Sequence, residues 1–221
     1  MLFNLDPATL ISRSIVLIIA FTVHEFAHAW SADQFGDDTP RVNGRLTLNP
    51  LAHLDPIGSL LLLVAGFGWA KPVPINPFYL QRRAPSATMW VALAGPFSNL
   101  IMAILAAIPF RLGLVSGIQA QYDVYFRGSH LLPSFAQIMW EFVAINLVLM
   151  LFNLIPLAPL DGEKIADYFL PPSWGRVLDA IRPYGPIILM AVFFVGPMLN
   201  INVIGWIIGR PLQTLMNLLI G

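Results

Sequence analysis

Cysteine does not occur in the 221 residues, so there is no disulfide framework, no thiolate to hold a metal and no thiol nucleophile. Charge is scarce too. Asp, Glu, Lys and Arg together make up 11% of the chain, against about a quarter in a soluble domain. The 12 basic and 12 acidic side chains cancel, which removes the electrostatic basis for binding nucleic acid. Internal repeats and low-complexity tracts are also missing. What fills the chain is apolar: 57% of residues are hydrophobic and the mean hydropathy is +0.72. These values indicate an integral, multi-pass membrane protein in a lipid bilayer, and any metal must be held by histidine, carboxylate and water.

Three apolar segments reach the roughly 20 residues needed to cross a bilayer. They cover Thr9–Ala32, Ala87–Leu112 and Phe135–Leu157. The apolar stretch Tyr184–Leu219 is broken by Gly196-Pro197, Asn200, Asn202 and Arg210-Pro211, and reads as one crossing plus a half-inserted helix or as two short crossings. Ile57–Trp69 is too short to span. It leads into Gly66-Phe67-Gly68-Trp69-Ala70-Lys71-Pro72-Val73-Pro74 and reads as a re-entrant or interfacial hairpin. The expected fold is an all-α polytopic membrane protein, a bundle of about four to six transmembrane helices with a re-entrant, β-like loop after the first. One domain is expected over 1–221, with core motifs within 9–165 and C-terminal helices in 184–219.

Inside the first span stands His24-Glu25-Phe26-Ala27-His28. At 3.6 residues per turn the two histidines share a helix face, so both can bind one Zn²⁺ while Glu25 reaches a water as general base. Ionisable groups at membrane depth are expensive and by default mark function. Residues 10–30 have the apolar character of a signal peptide, but cleavage there would discard the motif, so an uncleaved span is expected.

The segment Asp33–Ser86 carries Arg41, Arg45, Lys71, Arg82 and Arg83, and Ala158–Pro183 carries Lys164, Arg176 and Arg182. The positive-inside rule places both on the cytosolic side and the N-terminus outside. The first span then runs inward, with its histidines in the inner half of the bilayer. The third span also runs inward and ends at Asn153-Leu154-Ile155-Pro156-Leu157-Ala158-Pro159-Leu160-Asp161-Gly162, where the prolines unwind the helix. Asp161 either caps the following helix or folds back as the third ligand of a two-His, one-carboxylate site, and the matching depth favours the ligand.

The motifs around His24 and Asp161 together resemble the site-2 protease family of intramembrane zinc metalloproteases. The nearest likeness is to its compact prokaryotic branch without PDZ or CBS domains. Asn49-Pro50-Leu51-Ala52-His53-Leu54-Asp55-Pro56-Ile57-Gly58 and Ala94-Gly95-Pro96-Phe97-Ser98-Asn99 support the match. The resemblance implies one Zn²⁺ per chain held by His24, His28 and Asp161, and Glu25 as catalytic base and acid. It also implies that Asn153 steadies substrate or intermediate. The implied reaction is hydrolysis of peptide bonds in transmembrane-segment substrates near the cytosolic face of a prokaryotic cell membrane.

A transmembrane substrate must unwind before attack, and a strand edge could capture it by β-augmentation. Gly66, Gly68, Val73 and Ile75 are the candidate edge, with a plain interfacial loop as the alternative. Asn153 equally suits an interhelical hydrogen bond. His53 is a possible second-shell group or simply a loop histidine, and His130 falls on the outer side. Asn99 and Asn146 are expected to bond between helices, Glu141 to snorkel to water, and Arg41, Arg45, Arg82 and Arg83 to set topology. The competing functions are a transporter that uses the same polar residues as a relay and an enzyme-dead chaperone or scaffold. Substrate identity, cut site and oligomeric state are not encoded in any motif.

Overall fold

The computed structural model describes residues 6–58, 61, 68–126 and 131–221. Gly66, His130 and most of the expected hairpin between Ile57 and Trp69 lie outside the described residues.

Helix α1 (Pro7–Gln34) starts where sequence chemistry dictates. Asp6 accepts hydrogen bonds from the Thr9 amide at 2.9 Å and its hydroxyl at 2.8 Å, and Pro7 supplies a first position that needs no donor. The helix ends at Phe35, just before Gly36, whose φ is +89°. Its buried face is an unbroken every-fourth-residue stripe of Ala8, Ser12, Val16, Ala20, His24, His28 and Ala32. Ile15, Ile18, Ile19 and Trp30 on the other side are exposed, as suits a lipid-facing surface. Small residues let neighbouring helices approach closely where lipid provides no hydrophobic drive.

Short α2 (Thr39–Val42) and α3 (Pro77–Arg83) flank the connection to α4 (Ala87–Arg111). Helix α4 presents Ala92, Gly95, Asn99, Ala103 and Ala107 as buried residues and carries Pro96 without breaking. An amphipathic α5 (Gly117–Tyr125) leads to α6 (Phe135–Asn153). Helices α1, α4 and α6 pack against one another. After a turn-rich passage come α7 (Asp161–Phe169) and α8 (Pro172–Ile181). A kinked run follows through a 3₁₀ turn (Arg182–Tyr184), α9 (Gly185–Met190), a π turn (Ala191–Val195) and α10 (Gly196–Met198). The last helix, α11 (Val203–Ile220), lays Leu212, Leu215, Met216 and Leu219 on the α4–α6 core around Phe110, Val143 and Leu147.

Among the described residues, five helical stretches are long and apolar enough to cross a membrane: Pro7–Gln34, Ala87–Arg111, Phe135–Asn153, Ser173–Met198 and Val203–Ile220. The chain is an all-α, multi-pass membrane protein. Three details differ from expectation. The third span stops at Asn153 rather than Leu157, because Pro156 has no amide to bond back and disfavours helix at the residue before it. The fourth apolar helix begins at Ser173, so Arg176 and Arg182 belong to a candidate span rather than to a plain polar connection. Glu141 does not snorkel: it is buried and pairs with Arg13 at 3.0 Å, tying α6 to α1.

Candidate metal centre

The every-fourth stripe of α1 brings His24 and His28 to the same side of the helix, their Nε2 atoms 3.1 Å apart. Asp161, the first residue of α7, meets them from the opposite direction. Its Oδ2 lies 3.1 Å from His28 Nε2 and 3.2 Å from His24 Nε2. The proline-broken end of α6 leads into α7 so that Asp161 stands beside the two histidines. Leu160, not Asp161, is the N-cap of α7. Gly162 serves through space rather than turn geometry: a Cβ there would run into the backbone of Leu154 and Ile155.

The tautomers of both rings follow from their other nitrogens. His28 Nδ1 is 2.7 Å from the Val91 carbonyl, which can only accept, so Nδ1 carries the proton. His24 Nδ1 is 2.6 Å from Asn99 Oδ1, and Asn99 is itself oriented by donating its amide to Asn146 Oδ1 at 2.8 Å. With both rings neutral, both Nε2 atoms turn lone pairs toward each other and toward a carboxylate oxygen. Three acceptors converging in a buried place repel unless a cation sits among them. Donors at ~2.0–2.2 Å from a tetrahedral zinc stand about 3.3–3.6 Å from one another, within a few tenths of an ångström of the spacing here. His24, His28 and Asp161 could together hold one metal ion.

Helix α4 builds the wall behind the two histidines. Val91, Gly95 and Asn99 follow at intervals of four and face the two histidines. A Cβ on Gly95 would stand 2.6 Å from both His24 Nε2 and His28 Cε1 and closer still to His28 Nε2. The missing side chain leaves the cradle open. The expected interhelical bond between Asn99 and Asn146 is present, whereas the contact of Gly95 and Asn99 with the two histidines goes beyond what Ala94–Asn99 implies as a segment of the family resemblance. The four-residue step from Gly95 to Asn99, matching that of the histidines, was the available signal.

His24, His28 and Asp161 open on a cleft of about 300 Å³. Glu25, Asn153, Gly68, Val73 and Ile75 all line it. Glu25 Oε2 accepts from the Val73 amide at 3.1 Å. One Asn153 Nδ2 hydrogen bonds to Leu149 O at 3.0 Å, leaving its second N–H for another acceptor. The β-like character of the loop is limited, among the described residues, to one antiparallel bridge between Leu54 and Ala70. His53 is fully buried with Nε2 2.7 Å from the Thr47 carbonyl and does not line the cleft, while its own carbonyl accepts from the Lys71 amide at 2.7 Å.

The chain is 43% identical over 183 residues to the Bacillus subtilis protein named "Putative zinc metalloprotease YwhC", covering 81% of this chain and 78% of that one. It belongs to the site-2 protease family. Two proteins named "Putative zinc metalloprotease Rip2" are each 30% identical. The one from Mycolicibacterium smegmatis matches over 83% of this chain and 66% of its own length, and the one from Mycobacterium tuberculosis over 87% and 68%. No family model and no solved structure matches. Zinc is the metal of this zinc metalloprotease family, and the two-imidazole, one-carboxylate donor set with room for a further ligand has the pattern of a catalytic rather than a structural site.

Proposed function

We propose that the protein is an intramembrane zinc endopeptidase that cuts peptide bonds within transmembrane segments near the cytosolic side of the membrane. The whole of 1–221 acts as one such domain. His24, His28 and Asp161 hold the metal. When bound, zinc supplies the Lewis acidity that polarises the scissile carbonyl and makes water acidic enough to react near neutral pH. Glu25, beside the ligands but not one of them, takes the proton from the attacking water and passes it to the leaving amine. The free N–H of Asn153 is available to the oxyanion that develops on the former carbonyl.

The observation that carries this reading is the convergence of two tautomer-fixed imidazoles and a carboxylate next to a second carboxylate on one cleft. Orientation rests on the basic connection between α1 and α4. His28 lies six residues before the end of α1, about 9 Å from that face at ~1.5 Å per residue. The substrate arrives as a helix whose amides are shielded by its own hydrogen bonds, so it must open locally, and pairing of the opened strand with the segment from Gly68 to Ile75 is supported by Gly68, Val73 and Ile75 lining the cleft.

The test is cleavage of a reporter transmembrane span by purified protein in liposomes. Wild type should cut, and Glu25→Gln should retain zinc while losing activity by at least about a thousandfold, the upper part of the range for a missing general base. Cleavage by Glu25→Gln at the wild-type rate would sink the metalloprotease reading.

A further inference from the structure

Arg45 was expected to contribute only to topology, yet it is 5% exposed. Among the described residues every partner of its guanidinium is a main-chain carbonyl. One terminal nitrogen donates to Ala52 O at 2.5 Å and Lys71 O at 3.1 Å, and the other to Pro72 O at 3.1 Å. A planar fork with five donors can grip consecutive carbonyls in this way, whereas a lysine ammonium cannot. Burying a guanidinium without a carboxylate is costly, so its placement calls for a role.

The carbonyls it holds immediately precede Val73. In the sequence Lys71-Pro72-Val73-Pro74-Ile75 both prolines lack an amide hydrogen, so Val73 carries the only main-chain donor between Lys71 and Ile75. That donor is spent on Glu25 Oε2 at 3.1 Å. The far end of the segment is anchored as well: the fully buried Asp37 accepts from the Asn76 amide at 2.6 Å and the Thr39 amide at 3.1 Å. The passage 71–76 is therefore pinned at both ends, with the Val73 donor aimed at a carboxylate next to His24 and His28.

We propose that Arg45 is a positioning residue for Glu25: by clamping the carbonyls of Lys71 and Pro72 it sets the Val73 N–H that holds the Glu25 carboxylate in its reactive orientation. The proposal rests on Glu25 being the catalytic base. It also limits substrate pairing. The Lys71 and Pro72 carbonyls and the Val73 amide are already engaged, which leaves, among the described residues, the Ile75 amide and the carbonyls of Val73, Pro74 and Ile75 to receive a strand.

The experiment compares wild type, Arg45→Ala, Arg45→Lys and a protein with the Val73 amide replaced by an ester, which deletes the Val73 N–H and also weakens the Pro72 carbonyl that Arg45 grips, leaving every side chain in place. Cleavage of the reporter span, zinc content, and hydrogen–deuterium exchange of the peptide covering 69–76 are measured on each. Arg45→Ala should lower kcat at least tenfold with KM within threefold and zinc retained, and Arg45→Lys should recover only part of the loss. The Val73 ester should lower kcat by a similar factor, and its combination with Arg45→Ala should add less than twofold, because both changes break one linkage. Exchange over 69–76 should quicken at least tenfold in Arg45→Ala, a readout that stands even if no protein in the series cleaves. If Arg45→Ala fails to fold, the ester alone decides. An ester variant with wild-type kcat, unchanged exchange in folded Arg45→Ala, or losses that multiply would overturn the proposal. Inactive wild type with the exchange effect intact would instead count against the protease reading.

Discussion

Replacing Gly95 by alanine tests the metal centre through a residue that donates nothing to it. The added carbon would stand 2.6 Å from His24 Nε2 and closer still to His28 Nε2, whereas ordinary contact begins at 3.4 Å, so the His24 ring must retreat by about 0.8 Å and the His28 ring by more. Zinc–donor distances tolerate roughly 0.2 Å. The rings have little room to yield, since their other nitrogens are tied to Asn99 and Val91 at 2.6 and 2.7 Å. Loss of one outer-shell partner alone typically weakens a site 10- to 100-fold. Displacing two ligands at once should weaken zinc by at least about 100-fold, or ~2.7 kcal/mol at ~1.4 kcal/mol per tenfold. The helix itself should gain, because alanine is favoured over glycine in a helix interior by about 0.5–1 kcal/mol. Zinc content is read by elemental analysis after dialysis against graded chelator buffers, with circular dichroism confirming that the fold persists. A folded Gly95→Ala protein that binds zinc within threefold of wild type would refute the reasoning.

Asp161→Ala should lose both zinc and cleavage, in contrast to Glu25→Gln, and full zinc occupancy in Asp161→Ala would remove it from the ligand set. Asn99→Leu frees His24 to choose the wrong tautomer and should reduce zinc affinity about 10- to 100-fold in the same chelator titration. Arg13→Leu leaves the buried Glu141 carboxylate without its cation and should destabilise the protein by about 1–3 kcal/mol in a denaturation assay, with Glu141→Gln in the same chain recovering part of the loss. Reporter spans weakened by Gly, Pro or Asn in the half of the span near the cytosol should be cut faster than uniformly stable helices. Equal rates, or cut sites mapped by mass spectrometry to the outer half, would contradict the proposed depth of the site.

Much of the centre was legible before any coordinates, because helical period and chain chemistry are local. His24 and His28 share a face wherever a helix forms, and Pro156 ends α6 within a few residues. Length and hydropathy bounded the number of crossings, but the start of the fourth at Ser173 escaped notice because Arg176 and Arg182 interrupt the apolar pattern. What the linear order could not supply was the meeting of elements far apart in the chain. Asp161 reaches the histidines from 133 residues beyond His28, a choice between cap and ligand that only packing resolves. Gly95 and Asn99 gain their importance from the face of α4 that turns toward α1, and Arg13 meets Glu141 only because α1 lies on α6. Arg45 looked like a topology charge because positive residues near a span end have that use in general. Its three carbonyl partners come from two separate loops, and only the closed tertiary structure brings them within reach of one guanidinium.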